Sequence, residues 1–269
     1  MSTVLITGAS SGIGRAAASR IRADEGRVVI GMARRPEAMP RGIIPLKADL
    51  ATPGAAATAL AGLPGEVAAP TEFVHCAGYA DFAPLELCSP EEAVRQMRVG
   101  LFSAAELISR LLPAMRRAGR GRIVLVSSIA SRFSSPMGGW YHATKYAVEA
   151  LSDALRMEVA DFGIDVVLIE PGAIRTDWGT IAADHLEDSA RGGAYEEAAG
   201  RTAASMRRLY ASRRMSDPQV VVRAIRRAVE ARRPRTRYLV GLGAKPLVAA
   251  RALLPTRLFD RIMRGAAAG

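Results

Sequence analysis

Two kinds of apolar pattern alternate along the chain. Short runs rich in β-branched residues fall at 3–7, 27–33, 43–48, 72–76, 122–127, 164–170 and 237–240. They are apolar almost continuously, the pattern of strands covered on both faces. Between them, apolar residues recur at helical spacing over 12–24, 53–63, 90–98, 101–118, 139–162 and 217–232. In the 139–162 segment the stripe runs Tyr146, Val148, Leu151, Leu155, Val159, Phe162. Strand alternating with helix predicts an α/β fold of Rossmann type: a doubly wound, parallel, seven-stranded sheet with helices on both faces, in a single domain. The stretch from Trp178 to Met215 is more polar and holds Gly and Ala, and 241–269 reads as an added helical tail.

A length of 269 residues suits one α/β domain, and 49% apolar with 23% charged residues excludes global disorder. No apolar run reaches the roughly 18 residues of a membrane span. The nearest, 246–255, is broken by Arg251. The first residues read as a strand and not as a signal peptide. Two cysteines, Cys76 and Cys88, have no metal-ligand spacing. No disulfide scaffold and no metal site is expected, and a reducing cytoplasm fits. The net charge of +11 is uneven: residues 201–269 carry 17 basic and 3 acidic side chains, the first 200 carry 20 and 23. An anionic partner or membrane surface would suit that quarter, but 34 arginines on solvated helix faces explain it more simply. No nucleic-acid partner is expected, because the segment lacks interleaved aromatics and any helix-turn-helix or zinc pattern.

Candidate chemistry begins at Thr7-Gly8-Ala9-Ser10-Ser11-Gly12-Ile13-Gly14, which follows the first strand and opens the first helix. Glycines there let the backbone turn sharply and let a pyrophosphate reach the free N–H groups of the helix N-terminus. The spacing is G-x-x-x-G-x-G, not the strict G-x-G-x-x-G of dinucleotide sites. The second strand leads into Arg34-Arg35, where a site selective for NAD would carry an acid for the ribose 2′-hydroxyl. Arginine can pair with a 2′-phosphate instead, so NADP(H) is expected over NAD(H). Arg15 lies near the same pocket. Tyr141 and Lys145 open the long helix at i, i+4 spacing, on one face. A neighbouring cation lowers a phenol's pKa. Ser128, at the carboxyl end of the fifth strand, precedes Tyr141 by 13 residues.

Together these features resemble the short-chain dehydrogenase/reductase family, in the branch near hydroxysteroid and retinol dehydrogenases and carbonyl reductases. The glycine turn, Asp49-Leu50 after strand three, Ser128, Tyr141-x-x-x-Lys145 and Pro171-Gly172-Ala173-Ile174-Arg175-Thr176 occur in the family's order. The resemblance implies a dinucleotide-binding domain over 1–240 with a substrate lid near 177–216, then the tail at 241–269. It implies Tyr141 as general acid or base, Lys145 lowering its pKa and holding the nicotinamide ribose, and Ser128 bonding the substrate carbonyl. Gly8, Ser10, Ser11, Gly12, Ile13, Gly14, Arg34, Arg35, Ala77 and Gly78 would line the cofactor. Asp49 and the Leu50 N–H would meet adenine, and Pro171, Gly172, Ile174 and Thr176 the nicotinamide.

Two positions depart from the family. Cys76 stands where an Asn usually braces the sheet, and Gly100 stands where a second Asn usually helps hold a water linking Lys145 to solvent. An active enzyme is expected nonetheless, the alternative being a catalytically impaired regulatory or scaffold protein. Tyr79, Phe133, Met137 and Trp178, with Phe82 and Trp140, are candidate substrate contacts. The lid adds Ile181, Leu186, Tyr195 and Tyr210. A small hydrophobic carbonyl or alcohol substrate is expected. A β-ketoacyl thioester, held by arginines 201, 207, 208, 213 and 214, is the alternative. The tail, with Leu247, Leu253, Leu258, Phe259 and Met263 among arginines, is expected to pack on the domain or on another subunit, with peripheral membrane contact as the alternative. The resemblance also implies a homodimer or homotetramer, pairing through helices 101–118 and 140–162.

Overall fold

The apolar runs become the strands of one sheet in the computed structural model, which describes residues 2–268. The strands are β1 (Ser2–Thr7), β2 (Arg27–Ala33), β3 (Ile44–Lys47), β4 (Glu72–His75), β5 (Gly121–Val126), β6 (Ile164–Pro171) and β7 (Arg237–Val240). All are parallel, in the order β3-β2-β1-β4-β5-β6-β7. The order reverses between β1 and β4, which opens a crevice at their carboxyl ends, where open α/β sheets bind ligands.

Alternate residues of each strand serve opposite faces. Leu5, Phe73, Ile123, Leu125 and Leu168 face α4 (Ser103–Ala118) and α5 (Gly139–Glu158). Ile6, Val74, Val124, Val167 and Ile169 face α1 (Gly12–Arg22) and α8 (Gln219–Glu230). Two shorter helices, α2 (Ala55–Ala61) and α3 (Pro90–Met97), complete the first half. A capping box of Ser89 and Glu92 starts α3.

Four local expectations change. The helix expected over 139–162 stops at Glu158. A 3-10 turn follows, ended by Gly163 at φ +68, where a Cβ would lie 2.5 Å from the Gly119 carbonyl oxygen. Val148, Leu155 and Val159 of its stripe are buried, whereas Tyr146 and Phe162 are exposed. Between α3 and α4 the chain makes one π turn, Arg98–Phe102, at the break read near residues 99–100. The polar stretch after Trp178 is two helices, α6 (Trp178–Ala190) and α7 (Glu196–Ala211). Ala182, Ala183, Ala190, Ala199 and Ala203 let them pack closely. The tail is also two helices, α9 (Ala244–Leu253) and α10 (Thr256–Ala268), broken at Pro255. Phe259 of α10 is buried against Phe133, and the Ser205 hydroxyl of α7 donates to the Ala266 carbonyl (2.9 Å).

Four of the seventeen basic side chains of residues 201–269 form ion pairs among the described residues. Arg201 meets Glu197, Arg207 meets Asp184 and Glu187, Arg226 meets Asp24 and Glu230, and Arg237 meets Glu149 and Asp153. Among the described residues no helix is long and apolar enough to cross a membrane.

Candidate active site

The glycine turn lies where β1 meets α1. Gly8 (φ +69) and Gly12 (φ +50) hold left-handed conformations that other residues resist. A Cβ on Gly14 would lie 2.4 Å from the Gly8 carbonyl oxygen, and one on Gly8 would press on the Cys76–Ala77 backbone at 3.1 Å. The turn is therefore a backbone cradle that any side chain would fill. Among the flanking residues, Ser11 and Gly12 are exposed, Ser10 and Ile13 half-buried. Past β2, Arg34 and Arg35 are exposed. Arg15 is tied to the Ala38 carbonyl (3.0 Å). Asp49 is exposed and accepts from the Ala51 N–H (3.0 Å), with Leu50 buried beside it.

At the carboxyl ends of β4, β5 and β6 the second group assembles. The Ser128 hydroxyl is 3.5 Å from the Pro171 carbonyl and accepts from the Ala130 N–H (3.1 Å). It also faces the buried Tyr141 phenol. Burial pushes that phenol up to about 12, against the downward pull of Ser128. Lys145 is buried one helical turn on. Its Nζ donates to the Val126 carbonyl (3.0 Å) and lies 5.9 Å from the Tyr141 ring centroid. Burial pushes Lys145 down to about 8, opposed by Cys76 and Glu149. Burial of the Tyr141 phenol outweighs any lowering expected from Lys145. Its ammonium is held on Val126, and desolvation dominates both groups. Gly78 borders the same spot: a Cβ there would lie 3.8 Å from Nζ.

The β6 motif closes the far side. A Cβ on Gly172 would lie 2.2 Å from the Leu242 carbonyl oxygen, Ile174 is buried in the sheet core, and Thr176 is half-buried just before α6.

An aromatic wall stands over the phenol. Trp178 lies 5.3 Å and Phe82 5.8 Å from Tyr141, centroid to centroid, and Tyr210 backs Trp178 at 5.9 Å. Met137, at φ +65, packs with the same group, and its carbonyl accepts from Ala83 (2.8 Å). The other candidate substrate residues fall elsewhere. Phe133 packs on Phe259 and the tail, because the tail supplies the apolar surface it needs. Tyr79 sits at the edge, under the Arg95 guanidinium. Trp140 is exposed, and Ile181 more so, while Leu186 is buried between the lid helices.

Residues 2–186 match the family model for short chain dehydrogenase. An uncharacterized oxidoreductase of Escherichia coli, YbbO, is 35% identical over 98% of this chain and 94% of its own. The chain belongs to the short-chain dehydrogenase family. The family's 17-beta-hydroxysteroid dehydrogenase type 6 of Rattus norvegicus is 31% identical over 68% of this chain and 59% of that one, in keeping with the branch expected. A short-chain dehydrogenase from Streptomyces avermitilis shares the fold, with a TM-score of 0.77, 31% identity and 98% of each chain covered. So does a serine dehydrogenase complexed with NADP+, with a TM-score of 0.76 and 22% identity over 89% of this chain and 94% of that one. This chain is therefore an oxidoreductase of a family that binds a nicotinamide cofactor.

Two features of this short-chain dehydrogenase escaped sequence reasoning. His142 clamps the loop beside Tyr141: its Nε2 accepts from the Ser135 N–H (3.0 Å), so Nδ1–H donates to the Ala130 carbonyl (2.8 Å). Beneath Lys145, the buried Glu149 and Glu170 share Arg132, and Arg237 joins Glu149 to Asp153, which ties α5 to β6, β7 and the 129–132 turn. Apart from the Arg237–Asp153 spacing, which is equally remote, nothing local in the sequence marks Glu149 and Glu170 as partners of one cation; an acid inside a strand and one on the inner face of a helix were the available hints.

Proposed function

We propose that this chain is an NADP(H)-dependent oxidoreductase that interconverts a carbonyl and a secondary alcohol on a hydrophobic substrate. The observation that carries the reading is the meeting of Ser128 and Lys145 around a buried Tyr141 phenol, beneath a wall of Trp178 and Phe82. The backbone cradle at Gly8 and Gly14 fits a pyrophosphate at the start of α1. Gly8, Ser10, Ser11, Gly12, Ile13 and Gly14 would hold it there. Arg34 and Arg35 would meet a 2′-phosphate, where an acid at the end of β2 would repel it. Asp49 and Leu50 would flank adenine, Ala77, Gly78, Pro171, Gly172, Ile174 and Thr176 the nicotinamide end, and Lys145 the ribose. The cofactor supplies the hydride when bound.

The residues supply position and protons. The Ser128 hydroxyl donates to the substrate oxygen and stabilises the negative charge that develops there. Tyr141 is fully protonated at neutral pH and gives its proton to that oxygen in reduction. In oxidation it takes one back. The Lys145 charge favours the phenolate that reduction leaves. Trp178, Phe82 and Met137 exclude water and select an apolar substrate.

The β-ketoacyl thioester alternative loses support, because Arg201 and Arg207 of its cationic rim are already ion-paired. Exposed Phe102, Tyr146 and Met157 on and before α4 and α5 support a homodimer or homotetramer that pairs there. The test is NADPH binding by fluorescence, followed by NADPH oxidation against apolar ketones, aldehydes and β-ketoacyl thioesters. Turnover of an apolar carbonyl supports the reading. Binding without any turnover moves the weight to a regulatory dinucleotide-binding protein.

A further inference from the structure

The imidazole that follows the phenol on α5 is built into the loop that carries part of the substrate wall. His142 is 4% exposed, its ring centroid 5.9 Å from that of Tyr141 and 6.3 Å from that of Phe133. The Ala130 carbonyl can only accept, so Nδ1 carries the proton. The Ser135 N–H can only donate, so Nε2 has none. The Ser135 hydroxyl lies 2.9 Å from the same Nε2. One neutral tautomer satisfies both ends; the other tautomer and the cation do not. Burial pushes the ring below its ordinary pKa, against the pull of the Ala130 and Phe133 carbonyls, and so favours the neutral form.

Met137 lies just past the Ser135 anchor, at φ +65, a conformation that side chains other than glycine's resist. Such a residue persists where its surroundings over-determine it. Three contacts do so here. The ring holds Ser135, two residues before Met137. The Ala83 N–H donates to the Met137 carbonyl (2.8 Å) and ties the loop to the segment after β4. Gly138, the next residue, is packed on two sides: a Cβ there would lie 2.7 Å from the Phe82 ring and 3.1 Å from His142 Cδ2. Held this way, Met137 packs against the group formed by Phe82 and Tyr141. Methionine is unbranched and fits many shapes when its backbone is free. On a fixed backbone it presents one wall.

We propose that His142 is a positioning residue for substrate selection: by holding Ala130 and Ser135 it fixes Met137 in its left-handed conformation, and so sets how large an apolar group the site admits beside the reacting carbonyl. The inference rests on the oxidoreductase reading and adds to it the residue that shapes the wall. The imidazole moves no proton and touches no reacting atom. It acts through the loop alone.

The test begins with the whole protein, 15N-labelled at histidine. The expected spectrum shows His142 neutral and protonated at Nδ1 near neutral pH; a ring protonated at Nε2 overturns the proposal. Amide hydrogen exchange comes next. The Ser135 and Ala83 amides should be protected in the wild-type protein. They should exchange at least about tenfold faster in His142→Phe, which keeps a ring and loses both bonds. His142→Gln, whose amide oxygen accepts from Ser135, should restore protection. Equal protection in wild type and His142→Phe overturns the clamp. The kinetic arm follows NADPH oxidation on apolar ketones from cyclohexanone to decalone. His142→Phe should change the kcat/KM ratio of the smallest to the largest ketone about tenfold, mainly through KM, with NADPH affinity within about twofold. His142→Gln should recover most of that ratio. Met137→Gly accepts the left-handed backbone and removes the wall, so adding His142→Phe to it should have no further effect on the ratio. An unchanged ratio in His142→Phe, or the same shift with and without the Met137 side chain, overturns the proposal while the oxidoreductase reading stands. No turnover of any carbonyl by the wild-type protein overturns that reading and the selection role together.

Discussion

Trp178 lies across Tyr141, the two ring centroids 5.3 Å apart. One residue opens α6 and the other is the buried phenol on α5, so the proposed lid and the proposed reacting group are in direct contact. Gly179 makes this possible: any Cβ there would meet the Tyr210 ring at 2.3 Å, and Tyr210 is what backs Trp178. Substrate must displace the Trp178 ring to reach the phenol. Trp178→Ala should therefore change KM and the substrate size range more than it changes NADPH affinity. Steady-state kinetics over ketones of increasing bulk reads this. A KM series identical to wild type would show that Trp178 does not border the substrate.

The cradle at the start of α1 predicts a steep penalty at one position. Gly14→Ala places a Cβ where the Gly8 carbonyl now stands, at 2.4 Å. Backbone must shift on both sides of the turn. NADPH affinity should fall at least about tenfold, equivalent to about 1.4 kcal/mol, with a lowered melting temperature. Gly26→Ala, at an exposed turn at positive φ with open space around it, is the control for a glycine replacement that strains backbone without a clash. Equal NADPH affinity in wild type and Gly14→Ala would contradict the cradle.

The proposed preference for a cofactor 2′-phosphate would rest on two exposed arginines, Arg34 and Arg35. Arg34→Asp should weaken NADPH about 10- to 100-fold, the range of one lost charge-assisted contact, and leave NADH binding equal or better. Titration of both cofactors against both proteins gives the ratio. A ratio that does not move would remove Arg34 from the site.

The buried bases set the pH responses. His75 is held near 3 when folded and titrates near 6.5 when unfolded. Between those values the unfolded chain binds the extra proton, so stability falls as pH drops from about 6.5 towards 3, by on the order of 5 kcal/mol at most. His75→Phe should flatten that part of a urea-denaturation series. Lys145 is likewise a base held below its free value, and its slope has the same sign. Held near 8 when folded against 10.5, its burial costs stability below pH 8, and that cost is relieved as pH rises to 10.5. Reductive turnover should decline through about pH 8 as its charge is lost. A flat rate from pH 7 to 9.5 would show that the Lys145 charge is not needed.

The strands were legible because each is buried on both faces and so writes an unbroken apolar run, as Val4-Leu5-Ile6 and Val166-Val167-Leu168-Ile169 do. Ser128, Tyr141 and Lys145 were legible because their spacing is local. The aromatic wall was only partly so: Trp178 and Met137 meet Tyr141, but Phe133 has the same composition and neighbourhood in sequence and turns to Phe259 instead. The α6 and α7 helices were missed because their contact face is alanine, which leaves no strong apolar stripe. The His75–Thr7 pair joins residues 68 apart, and only the sheet brings them together.

The most direct test of the account is NADPH oxidation by Tyr141→Phe at saturating cofactor, on whichever carbonyl the wild-type protein turns over. The change removes one hydroxyl from a ring whose packing against Trp178 and Phe82 is otherwise kept. The account predicts a kcat reduced by about 10²-fold or more with NADPH affinity unchanged. Turnover within a few-fold of wild type would contradict Tyr141 as the proton donor.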